Sequence, residues 1–277
     1  MIRFKSTGTA AVLWLCALPL MAATEIDVMA GKVYQSFSEN KPLPNLSSVY
    51  KLDMSTAYEV QRAYVRSRLN KDTIAGFKAG LTSDDAQARF HISRPIFGIL
   101  FNEGMRENHA SFSLSKMNGL MIEAELGFVV NEKIHKKINS ITELKNYVSQ
   151  IVPVIELPEV AFESKAVDGM DLVAVNGGAS YFLPDMDASW LGYDVNSISV
   201  SITYNDKIVV QGQGKDALGD QWEALRWLVN QVLSHGWVIE KDNILITGAL
   251  GGMTTAKIGE YKVQYNKGPA IEFSIVE

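Results

Sequence analysis

The sequence has almost no cysteine: Cys16 is the only one in 277 residues. No disulfide can form within the chain, and a thiolate metal cluster is excluded. Positive charge is also scarce. The 26 Lys and Arg residues face 31 Asp and Glu, a formal balance of -5 and a sequence pI near 5.5. No basic patch stands out to neutralise phosphates, which excludes nucleic-acid binding. There is no internal repeat, no low-complexity tract and no apolar stretch suited to a comfortable membrane span. The apolar run Ala10 to Leu20 is too short for one and is broken by Pro19.

What is present at the N-terminus is a leader pattern. Arg3 and Lys5 precede the apolar run, and Met21-Ala22-Ala23 supplies small residues for cleavage. Residues 1–23 are therefore expected to be a signal peptide, with a periplasmic or secreted product and no stable membrane insertion after processing. Removal takes away Arg3, Lys5 and Cys16 but no acid. The remaining 24 basic residues face 31 acidic ones, a balance of -7. Any metal must then be held by oxygen or imidazole ligands.

The rest of the chain has ordinary globular composition, 47% hydrophobic and 21% charged. Residues 24–73 read as a helical N-terminal region with a break at Lys41-Pro42-Leu43-Pro44. Met54 to Leu69 is a helix, with Thr56 and Glu59 at capping-box spacing and Ala57, Val60, Tyr64 and Val65 on one face. From residue 74 to 277 strands dominate. Ile74 to Leu100 reads as strand, loop and strand. Residues 119–130 alternate, and Ile151 to Leu157 and Asp171 to Asn176 read as apolar strands. Asn205-Asp206 and Asn266-Lys267-Gly268 mark hairpins. Ile141 to Val148 is a short helix, and Asp220 to His235 is the clearest one, stopped by Gly236. The fold class is α+β with a strand-rich core.

Three carboxylates carry the chemistry. Glu123 and Glu125 are two apart on an alternating strand, so they leave the same face side by side. Like charges that close repel, and a divalent cation would resolve the conflict. The pair by itself also fits the solvated face of an edge strand. Glu156 adds weight, because it closes the apolar run IVPVIEL, where a carboxylate is expensive without a partner. Lys78 lies between Gly76 and Gly80 in GFKAGLTS, and reads either as a site lysine or as a snorkelling surface lysine. The four histidines show no paired ligand spacing. GQGKDALG and TGALGG lack nucleotide-loop spacing and read as turns.

The order of these motifs resembles the 2-oxopent-4-enoate (2-keto-4-pentenoate) hydratase branch of the fumarylacetoacetate hydrolase superfamily. The similar stretch runs from AYEVQ at Ala57 to ITGAL around Thr247. It includes GFKAGLTS, RPIFGIL with Pro95 and Gly98, the E-x-E at Glu123 and Glu125, PVIEL with Glu156, and GQG…LGDQWEALRWL. The resemblance implies a mixed β-roll core of the superfamily's C-terminal type, usually in homo-oligomers. It implies Mg²⁺ or Mn²⁺ on Glu123, Glu125 and Glu156. Lys78 would act in catalysis and substrate binding, with Ser83, Asn176 and Ser180 as further substrate contacts. The implied ligand is a small 2-oxo acid, and the implied activity a metal-dependent hydro-lyase, hydratase-like. The chain departs from the family pattern at Ile96, where hydratases carry an acid, at Val175 in place of an aspartate, and at Ala249 in the T-G-S turn. Ile96 favours a 4-oxalocrotonate-type decarboxylase. Val175 and Ala249 favour a catalytically degenerate periplasmic oxo-acid-binding protein.

Overall fold

A computed structural model of the chain describes residues 23–277; the leader expectation falls almost wholly outside them. Two helices come first. Helix α1 (Glu25–Ser38) opens on a capping box in which Thr24 and Asp27 bond reciprocally. Helix α2 (Met54–Arg68) is capped differently from the sequence expectation. Asp53 is the N-cap, and its Oδ1 accepts from both the Thr56 N–H and the Thr56 hydroxyl, each at 2.8 Å. Thr56 thus sits inside the first turn rather than at the cap. Asp53→Ala is expected to lower the Tm slightly, read by calorimetry, because the Thr56 N–H loses its acceptor.

Then come β1 (Ile74–Gly80), α3 (Asp84–Arg89), β2 (Ile96–Phe101), β3 (Ser111–Ser113), β4 (Met121–Val130), α4 (Ile141–Lys145), β5 (Val148–Leu157), α5 (Gly169–Ala174) and β6 (Tyr181–Pro184). The chain continues through β7 (Ser199–Tyr204), β8 (Lys207–Gln213), α6 (Gln221–Ser234), β9 (Ile244–Ile246), β10 (Met253–Thr255), β11 (Gly259–Tyr265) and β12 (Ile271–Val276). The larger sheet runs β2-β1-β9-β4-β5-β6, with β10 added alongside β4. The smaller runs β3-β12-β11-β7-β8. Mixed sheets with a helical N-terminal region are the α+β roll that the sequence led one to expect. Among the described residues no helix is long and apolar enough to cross a membrane.

Two elements differ from the sequence expectation. Asp171 to Asn176 is no strand: Gly169–Ala174 forms α5, with Asp168 and Asp171 in a capping box. The segment is buried on nearly all sides, and a helix in that setting shows the same unbroken apolar run as a buried strand. The loop expected after β1 contains α3, which starts where Ser83 accepts from the Ala86 N–H at 3.3 Å. Its six residues are too few to show a period.

The larger sheet has two buried faces. One packs on the helices and the smaller sheet through the main core, including Phe77, Ile122, Ala124, Leu126 and Phe128. The other encloses a separate apolar cluster with Leu100, Val129, Val152, Val154, Phe182, Ile244 and Ile246. Alternation along β4 and β5 puts Glu125 on the face of Val129, and Glu156 on the face of Val154. The carboxylates therefore sit on the face whose neighbouring positions are occupied by valine and isoleucine.

Candidate metal centre

The register of β4 against β5 builds the site. Glu123 is directly opposite Glu156, and Glu125 is opposite Val154. Lys78 reaches the same place from β1, with Nζ 2.7 Å from Glu156 Oε1. One oxygen from each of Glu123, Glu125 and Glu156 lies within 4.8 Å of the others. Glu125 and Glu156 are wholly buried, while Glu123 is 7% and Lys78 4% exposed. The solvated-face and snorkelling readings are therefore excluded, and what exposure the centre keeps is at Glu123 and Lys78.

Three carboxylates against one ammonium leave an unbalanced buried charge. Burial pushes the Glu123 carboxyl up to about 7, with the Glu156 charge adding to the effect and Lys78 opposing it. Glu125 is held well above the usual carboxylate range, first by burial and then by Glu156 and Glu123. Burial works against the Lys78 ammonium, but Glu156 and Glu123 outweigh it and hold the group above its ordinary value. Two oxygens, Glu125 Oε1 and Glu156 Oε2, are buried without a hydrogen-bond partner among the described residues. A divalent cation fits this donor set: all-oxygen ligands, a converging geometry, orphaned lone pairs and an excess of negative charge.

The raised carboxyls set a pH dependence. Glu123 titrates near 4.5 when free and near 7 in the metal-free fold. The folded state binds the proton more tightly, so this contribution is complete below about 4.5 and is lost as pH rises through 7. In EDTA the Tm is expected to fall between about pH 5 and pH 8, and Mg²⁺ added at pH 8 is expected to restore it. Thermal scans with and without the ion check this.

Groups not singled out in the sequence complete the centre. The Gly248 N–H donates to Glu125 Oε2 at 2.8 Å. Gly248 has φ +109°, and a Cβ there would lie 2.3 Å from the Thr82 hydroxyl oxygen, so glycine is required. The Tyr265 hydroxyl, from the smaller sheet, is 2.9 Å from the Glu125 carbonyl oxygen and 3.0 Å from that of Val154. It clasps β4 to β5 behind the site. TGALGG showed only glycine punctuation, and a lone tyrosine on a distant strand carries no local signal.

The other expected site residues are placed as follows. Asn176 is buried in the turn after α5 with φ +61°; its side chain accepts from the Ile99 N–H at 2.8 Å and donates to the Ile99 carbonyl at 2.9 Å. It acts as a surrogate strand for β2. Gly98 admits this turn, since a Cβ there would come within 2.6 Å of the Asn176 carbonyl oxygen. Ser83 caps α3 from an exposed position, and Ser180 donates to Glu159 at 2.6 Å. Neither serine is hydrogen-bonded to the triad or to Lys78. His235 packs on Tyr58 and Phe97. The three glutamates are the one group of converging His, Cys, Asp or Glu side chains among the described residues.

The mixed sheets with their helical N-terminal region are a fold shared with proteins of the fumarylacetoacetate hydrolase type. The chain superimposes on a putative family member from Yersinia pestis CO92 with a TM-score of 0.51, at 16% identity, covering 74% of this chain and 94% of that one. It superimposes more closely, with a TM-score of 0.85 at 21% identity, on the 4-oxalocrotonate decarboxylase from Pseudomonas putida G7, solved with magnesium and adipate. That match covers 91% of this chain and 97% of the other. By sequence the chain is 25% identical over 243 residues to the 2-keto-4-pentenoate hydratase of Paraburkholderia xenovorans, covering 87% of this chain and 90% of that protein. No family model matches the chain. The resemblance to the hydratase and decarboxylase branch thus spans most of the chain in both sequence and fold.

Proposed function

We propose that the protein is a divalent-metal-dependent lyase acting on a small 2-oxo acid, with hydration of a 2-keto-4-pentenoate-like substrate as its reaction. The observation that carries this is the buried triad with two unpartnered carboxylate oxygens beside a charged lysine. Glu123, Glu125 and Glu156 would hold Mg²⁺ or Mn²⁺, which when bound supplies Lewis-acid stabilisation of negative charge on a chelated oxo acid. The protein's own groups supply orientation and a dry wall. Lys78, fixed by Glu156, presents a permanent positive charge at the accessible edge and attracts an anionic substrate. Val154 and Ile246 keep water from the enclosed face, which strengthens every charge interaction in the centre.

Decarboxylation is the second reading. It is favoured by Ile96, which is buried and apolar at a point where an acid would serve a hydratase. A catalytically degenerate periplasmic protein finds no support among the relatives described above, which bear enzyme names. The deciding experiment mixes purified protein and Mg²⁺ with 2-hydroxypenta-2,4-dienoate while dienol absorbance is followed, and in parallel with 4-oxalocrotonate while CO₂ is trapped. Decay of the dienol supports the hydratase; CO₂ release alone supports the decarboxylase. Neither signal, with oxalate binding retained, overturns both.

Two further parts of the proposal concern context. The Arg3 and Lys5 region, the apolar run and Met21-Ala22-Ala23 support export, which N-terminal sequencing of the purified protein tests. Assembly into homo-oligomers is supported by the family resemblance, and light scattering on the eluted protein tests it.

A further inference from the structure

The two glycine-rich turns meet behind Glu125. Gln221, the first residue of α6, is wholly buried and is hydrogen-bonded through its backbone N–H, its side-chain nitrogen and its side-chain oxygen. Its N–H donates to Asn196 Oδ1 at 2.9 Å, its Nε2 donates to the Gly214 carbonyl at 2.6 Å, and its Oε1 accepts from the Thr247 hydroxyl at 2.5 Å. Thr247 is buried too, and its hydroxyl has one alternative acceptor, the Leu126 carbonyl at 3.3 Å. The backbone next to it is a bulge. The Thr247 N–H bonds Leu126 and the Leu250 N–H bonds Ala124, which preserves the contact with β4 on both sides, while Gly248 and Ala249 swing out between them. That excursion points the Gly248 N–H at Glu125 Oε2 and leaves Glu125 Oε1 without a partner among the described residues.

We propose that Gln221 and Thr247 are positioning residues for the cation-binding carboxylate of Glu125, acting through the Gly248 amide. The inference rests on the metal reading of the triad. A buried amide bonded through both its nitrogen and its oxygen is held in one orientation, and it fixes the threonine hydroxyl. The hydroxyl in turn fixes the bulge that aims the amide. Glu125 is thereby held with one oxygen committed to the protein and the other offered to the ion, as outer partners of metal ligands generally arrange. Without the relay the bulge regains freedom, and the carboxylate must be ordered when the ion binds.

The test uses Mn²⁺ itself as the probe, on the full chain, by calorimetry and by the electron paramagnetic resonance spectrum of the bound ion. Thr247→Val keeps the side-chain shape and deletes the hydroxyl; it is expected to weaken Mn²⁺ binding about tenfold and to alter the spectrum. Thr247→Ser restores the hydroxyl and is expected to recover wild-type affinity and spectrum. Gln221→Met, which removes the hydroxyl's acceptor, is expected to act in the same direction, and carries the comparison if Thr247→Val does not fold. Thr247→Val or Gln221→Met with a lower Tm but unchanged Mn²⁺ affinity and spectrum would overturn the proposal, since a merely structural role predicts that outcome. Wild-type protein that binds no Mn²⁺ would instead sink the metal reading.

Discussion

Glu125→Gln is expected to bind Mn²⁺ at least roughly tenfold more weakly than the wild type, because it removes a charged ligand from an all-oxygen set. The geometry argues for a loss beyond the charge alone. The Gly248 N–H seeks an acceptor, so the new amide will turn its oxygen to Gly248 and its NH₂ towards the triad. A donor would then stand where the ion needs a lone pair. The same substitution has the opposite effect on the metal-free fold. It removes one of three crowded buried carboxylates, so the Tm in EDTA is expected to rise at neutral pH. Calorimetric titration with Mn²⁺ and melting scans in EDTA read the two effects separately. Unchanged Mn²⁺ affinity would refute the assignment of Glu125 as a ligand.

Lys78→Met is expected to lower kcat/KM by on the order of 10²–10³, the scale of losing one fixed electrostatic donor from a closed site. The substitution keeps an unbranched chain between Gly76 and Gly80 and deletes the charge. Mn²⁺ affinity is expected to hold or rise, since the ammonium 2.7 Å from Glu156 competes with a cation for that carboxylate. Loss of turnover with retained metal is the signature that separates a substrate-facing lysine from a structural one. The metal-free variant is expected to be less stable at neutral pH, because Glu156 loses its counter-charge while remaining buried. Measurements therefore belong in saturating Mg²⁺. Turnover within a few-fold of wild type would remove Lys78 from the mechanism.

Legibility from sequence followed the range of each interaction. The E-x-E pair was readable because its two residues share a strand and the strand period is two. Their facing Glu156 was readable only as an expensive acid in an apolar run. The direct opposition of Glu123 and Glu156 is a matter of register between strands, which no local pattern carries. The two glycines around Lys78 hinted at a close approach, and burial decided what the lysine does. Asp171 to Asn176 reads as a strand but is helical, because a buried helix and a buried strand show the same unbroken apolar run. Asn176 entered as a substrate contact through family resemblance; its amide bonds both backbone groups of Ile99. Gly248, Thr247 and Gln221 looked like punctuation and an ordinary helix start. Their contribution exists only where two turns far apart in sequence pack behind one carboxylate.

The Tyr265 hydroxyl has a consequence for how the molecule comes into being. Lys78, Glu123, Glu125 and Glu156 leave the ribosome well before the strand that supplies this hydroxyl. Until β11 has docked, the two strands bearing the glutamates lack the clasp at the Glu125 and Val154 carbonyls. A nascent chain thus carries all three carboxylates before it has a finished cage. Capture of a cation by this triad would then be a late event in biosynthesis, coupled to closure of the two sheets rather than to the first appearance of the carboxylates.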